Sequence, residues 1–123
     1  MVNTKKLGEI NMVHTIFIIP LLITFVGFLM YKNPPKKINW FLGYRTIKSM
    51  KNEKIWKKAN QYCGKLWIKF GIIMLLINSL IFTLLHFKLI ILSETIIAII
   101  ILSQVIILVL SISIVENKIK KYK

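Results

Sequence analysis

Residues 36–64 read KKINWFLGYRTIKSMKNEKIWKKANQYCG. The stretch is basic, holds four aromatic residues up to Trp56, and lies between two long apolar runs. A loop this rich in lysine does not cross a bilayer, whereas the runs beside it are long enough to do so. It also divides internally. From Asn52 onward, Ile55, Trp56, Ala59, Tyr62, Cys63, Leu66, Trp67 and Phe70 recur every three or four residues, which makes one apolar stripe on a helix. Lys54, Lys57, Lys58, Gln61 and Lys65 fall largely off that stripe. Asn52 is placed to cap the helix, and Glu53 opens its first turn, where the helix dipole favours an anion. A basic amphipathic helix of this kind is expected in the plane of the membrane interface, feeding a following span, with Gly64 as the bend between them.

The residues before it, Asn39-Trp40-Phe41-Leu42-Gly43-Tyr44-Arg45-Thr46, show no such period. They combine three aromatic residues, a glycine suited to a tight turn, and the one arginine of a chain that otherwise uses lysine. A guanidinium offers a planar, multi-donor fork to carboxylate or phosphate, which an ammonium does not replace.

Outward from the loop, the first apolar run spans 10–31. Pro20 near its middle removes a helical hydrogen bond and is expected to kink it. Thr24 and Gly27 continue the same side as a small-residue face for close helix contact. Asn33-Pro34-Pro35 ends the run. Lys5 and Lys6 precede it as they would in a signal peptide, but no small-x-small cleavage pattern follows, so a retained span is expected. A second span covers 66–87 and a third 95–115. Ser93 caps the third, Glu94 opens it, and the short link between the two makes an antiparallel hairpin. Residues 116–123 form a basic tail, and 32–65 hold the motif and the interfacial helix. The expectation is a single all-α membrane domain of three transmembrane helices, with a cytoplasmic amphipathic interfacial helix between the first and second.

Composition agrees. The 123 residues are 56% hydrophobic, with a mean hydropathy of +0.68, more apolar surface than a soluble domain of this size hides. The formal net charge of +14 arises from 18 basic residues against Glu9, Glu53, Glu94 and Glu116. Ten of the basic residues lie in 32–65 and four in the tail, against Lys5, Lys6 and Lys88 on the other side. The positive-inside rule therefore places the loop and C-terminus in the cytoplasm and the N-terminus outside. Anionic lipid headgroups are the expected partner, and nucleic acid is disfavoured because the basic surface is held against a negative leaflet.

Asn78 and Gln104 fall near the centres of the second and third spans. Antiparallel packing brings them to matching depth, where an amide–amide hydrogen bond would join the helices. Neither is charged, so a proton-coupled path is not expected. Cys63 is the lone cysteine, which excludes an internal disulfide. The chain holds no Ser/His/acid or Cys/His arrangement, no carboxylate pair, no phosphate loop and no metal cluster, so neither an enzyme nor a bound cofactor is expected.

The pattern Asn39…Gly43-Tyr44-Arg45-Thr46…Ser49…Trp56…Ala59-Asn60…Gly64 resembles the signature of the SdpI family of small bacterial membrane proteins. That signature runs roughly N-x-x-x-G-[IY]-R-T-x-x-S, then W and [NH]-x-x-x-G. The likeness covers about a third of the chain. Longer members carry further spans before this unit, so the chain reads as a minimal version. Asn60 stands where some relatives have His, so pH-switched or metal chemistry is not implied there. The resemblance implies a bacterial cell-membrane protein giving immunity to a secreted, membrane-active killing peptide by non-catalytic binding. Alternatives are a signalling module that captures a cytoplasmic repressor, and a small oligomeric transporter or channel subunit. It also implies roles for the matched residues. Gly43 would permit the turn, Arg45 and Thr46 would bind an anionic group, Trp56 would close the helix over the turn, and Asn39 and Asn60 would hydrogen-bond to it. Glu53, the one acid of the loop, is the alternative partner for Arg45.

Overall fold

The computed structural model describes residues 4–39, 41 and 43–122, without the side chains of residues 5–7, 9 and 10. Trp40 and Leu42 of the motif lie outside the described residues. Helix α1 (Thr4–Val13) leads through a 3-10 turn (His14–Phe17) into α2 (Ile18–Lys32), followed by α3 (Glu53–His86) and α4 (Glu94–Ile119). There is no strand among the described residues. Three helical stretches are long and apolar enough to cross a membrane: Asn11–Lys32, Glu53–His86 and Glu94–Ile119. Their outward faces expose Phe25, Phe28, Leu76, Leu80, Leu102 and Val109, as suits helices solvated by lipid chains.

Local chemistry sets the helix ends. Asn52 adopts an extended backbone, and its side-chain oxygen accepts from the Ile55 N–H at 2.8 Å. Ser93 caps α4 in the same way, accepting from the Ile96 N–H at 3.3 Å. Helix α3 ends at His86, and two residues on Lys88, with a φ of 58°, turns the chain left-handed. There the Lys88 N–H reaches the Leu85 carbonyl and the Leu89 N–H the Leu84 carbonyl, which satisfies carbonyls the helix would leave bare.

A separate interfacial helix is not confirmed. Residues 53–65 do not lie apart from the second span: α3 runs unbroken for 34 residues. At about 1.5 Å per residue that is some 50 Å, roughly 20 Å more than the hydrocarbon layer needs. Gly64 is no bend. It lies opposite Gly27 of α2, where a Cβ would come within 2.6 Å of the Gly27 carbonyl oxygen and 2.7 Å of the Tyr31 nitrogen. A second crossing one register further places Gly71 against Thr24 and the Pro20 carbonyl. The two backbones touch because side chains are missing where they cross. The apolar stripe faces protein rather than headgroups: Trp56, Ala59 and Cys63 have no exposed surface, and Ile55, Ala59 and Cys63 pack with Met30, Tyr44, Val115 and Ile119. The overhang of α3, the end of α4 and the described residues of 33–52 thus form a small head at one end of the bundle.

Pro20 breaks the first span, as a 3-10 turn just before it rather than as a bent α-helix. Asn78 and Gln104 are both buried but do not bond to each other. Each donates instead to the Ile16 carbonyl, at 2.8 Å and 3.1 Å. That carbonyl is free because the residue four positions on is proline and has no N–H to offer.

Candidate functional site

The head gathers most of the motif around Trp56 and Asn60, one turn apart on α3 and both without exposed surface. The Trp56 indole N–H donates to the Pro35 carbonyl at 2.8 Å, which ties the start of the loop to the helix. The Asn60 amide nitrogen donates to the Trp56 carbonyl at 2.8 Å. This fixes the side chain so that its oxygen accepts from the Tyr44 N–H at 2.7 Å. Gly43, just before, has a φ of +110°, and a Cβ there would meet the Asn60 side-chain oxygen and lie 3.0 Å from the Trp56 ring. Only a residue without Cβ takes that backbone shape and fits that gap.

Beyond Tyr44 the chain crosses to α4. The buried Tyr44 hydroxyl donates to Glu116 Oε1 at 2.7 Å, with the Ile112 carbonyl 3.2 Å away. The Thr46 hydroxyl donates to the same carboxylate oxygen. Ser49 locks the turn: its hydroxyl accepts from the Thr46 N–H at 2.8 Å and donates to the Tyr44 carbonyl at 3.0 Å. The Asn39 side-chain oxygen accepts from the Phe41 N–H at 3.0 Å, an Asx turn at the loop's entry. At the tail, the Lys58 ammonium lies 4.2 Å from the Tyr122 ring centre and Lys118 lies 5.4 Å from that of Tyr62.

Gly43, Tyr44, Thr46, Ser49, Trp56 and Asn60 therefore meet in one cluster, while Gly64 belongs to the helix crossing. Arg45 and Glu53 stand apart. Both are exposed, and Arg45 makes no hydrogen bond or ion pair with Glu53 or any other described residue. The acid that serves the motif is Glu116, which the sequence reading missed. Its signal was there: it is the one acid in a basic tail, directly after the last apolar stretch of α4. Among the described residues no three His, Cys, Asp or Glu side chains come close enough to hold a metal.

The model of the SdpI/YfhL protein family matches residues 36–115, about two thirds of the chain. The chain belongs to the SdpI/YfhL family. It is 39% identical over 67 residues to the uncharacterized protein YfhL of Bacillus subtilis (strain 168), an alignment covering 51% of this chain and 61% of that protein. The chain thus spans less than two thirds of that relative's length. No solved structure matches it. The family match takes in the whole cluster on the loop and α3, and ends one residue before Glu116.

Burial, followed by the hydrogen bond to Glu116 and its charge, pushes the Tyr44 hydroxyl well above the ordinary tyrosine range, while Thr46 acts weakly the other way. An unfolded tyrosine ionises near pH 10. The contribution of neutral Tyr44 is therefore complete below about pH 10 and is lost as pH rises beyond it. In a 295 nm titration of the folded protein, Tyr44→Phe is expected to remove a late step, one that lies above about pH 10. Loss of an early step instead would place Tyr44 in water.

Proposed function

We propose that this SdpI/YfhL-family protein protects a bacterial cell against a secreted, membrane-active toxic peptide by binding without covalent chemistry. In this reading the N-terminus lies outside, and the head and C-terminus lie in the cytoplasm against anionic headgroups, following the excess of Lys and Arg at that end. The observation that carries the reading is how the head uses its motif. The hydroxyls and amides of Tyr44, Thr46, Ser49 and Asn60 bond within the protein, whereas the Arg45 side chain is exposed and bonds to none of the described residues. Such an arrangement presents a fork to an anionic group and supplies neither nucleophile nor base.

Capture of a cytoplasmic regulator is the second reading. It is favoured by Phe41 and Ile47, which flank Arg45 and are 89% and 95% exposed.

The test is survival of cells that produce the chain while challenged with a killing peptide encoded beside its gene. Production of the wild-type chain is expected to raise survival. Arg45→Ala and Arg45→Lys are each expected to cut that gain about tenfold at equal protein level, since a charge-assisted hydrogen bond contributes roughly 1.5–3 kcal/mol. No gain with the wild-type chain sinks the immunity reading. A full gain with Arg45→Lys sinks the fork but leaves immunity standing.

A further inference from the structure

The break at Pro20 leaves more than one polar group to account for. Ile16, Asn78 and Gln104 meet there from three helical segments, and each is at most 3% exposed. Asn78 lies twelve residues from Leu66 and eight from His86, so the meeting point is deep within the span of α3. The two amide nitrogens satisfy the Ile16 carbonyl. The Gln104 side-chain oxygen, however, is buried and accepts a hydrogen bond from no described residue. Lipid chains offer no donor at that depth.

The chemistry of the node defines what fits it. A carboxamide nitrogen carries two hydrogens, and Asn78 and Gln104 each direct one to Ile16. The Gln104 oxygen and the second N–H of each amide therefore remain together in an otherwise apolar interior. A bare cation would meet those N–H groups, and an anion would meet the oxygen. A small neutral group that both donates and accepts suits all of them.

We infer that this node is a binding site for a single water molecule. The water donates to Gln104 Oε1 and accepts a remaining N–H from Asn78 or Gln104, and two or more polar partners are what a buried water requires. It completes a bridge among the first span, α3 and α4 at the point where Pro20 interrupts the backbone ladder.

Glutamine labelling isolates the site, because Gln61 and Gln104 are the chain's two glutamines. The full chain, side-chain 15N-labelled at glutamine and placed in phospholipid vesicles, is examined by water-edited solid-state NMR. Transfer from water to the Gln104 amide is expected, comparable to that at Gln61 in the head. Transfer to Gln61 with none to Gln104 overturns the site. In asparagine-labelled protein, Gln104→Met is expected to abolish transfer to the Asn78 amide. Asn78 transfer that survives this substitution means that water reaches the node without Gln104 Oε1, which also overturns the proposal.

Discussion

Gly64→Ala is expected to cost the protein about 2 kcal/mol of stability, although it adds one methyl group and improves the local helix. Alanine in place of glycine inside a helix gains at most about 1 kcal/mol. Opposing it, the new Cβ would lie 2.6 Å from the Gly27 carbonyl oxygen, 2.7 Å from the Tyr31 nitrogen and 3.0 Å from the Met30 carbonyl carbon. All three are backbone atoms, so no rotamer change makes room and α2 as a whole must move away from α3. Overpacking of this kind costs about 1–3 kcal/mol even where side chains can yield, and here the upper end applies. Gly27→Ala meets the same crossing from the other side, with the Gly64 carbonyl oxygen at 2.7 Å, so the two losses are expected not to add. Gly8→Ala is the control, because nothing lies within 4 Å of a Cβ there. Denaturant titration in micelles of the three variants decides the matter. A Gly64→Ala protein as stable as Gly8→Ala would mean that α2 and α3 do not cross at this point.

The crossing shows where sequence reading succeeds and where it stops. Span positions follow from uninterrupted apolar runs, and the caps at Asn52 and Ser93 follow from residues a few positions away, because both effects are local. Pro20 was readable as a break for the same reason. Its consequence was not, since the carbonyl it frees is taken by side chains 62 and 88 residues further on. The stripe on residues 55–66 was equally plain, but a stripe records only that something apolar covers it. Lipid and protein satisfy it alike. The structure selects protein because Tyr44 and Thr46 reach Glu116, 72 and 70 residues away, and draw the loop and α4 over that face. Glu53 is the acid close to Arg45 in sequence. Glu116 is the acid close to Tyr44 and Thr46 in space.

Trp56→Ala is expected to have the largest effect on the head, a local loss of about 4 kcal/mol that leaves the spans assembled. Trp56 has no exposed surface, and removing a buried indole costs about 3–5 kcal/mol in cavity and transfer energy. The Pro35 carbonyl also loses its donor, and the ring that closes against Gly43 disappears. The groups that hold the spans, Gly27 with Gly64, Gly71 with Thr24, and the Ile16 carbonyl with its two amides, do not touch Trp56, so the loss stays in the head. Hydrogen exchange reads this directly. The Tyr44 and Thr46 N–H groups, bonded to Asn60 and Ser49, are expected to exchange about a thousandfold faster, the factor that ~4 kcal/mol carries. Amides in the middle of α3 and α4 are expected to keep their protection. Trp56→Phe retains most of the ring volume and loses only the bond to Pro35, so it is expected to lie nearer 1 kcal/mol. If Trp56→Ala speeds exchange equally in the head and in the spans, the head is no separate unit, and the motif's role is to hold the whole bundle. If exchange changes in neither, the loop does not close over Trp56, and Arg45 is not presented from a fixed turn.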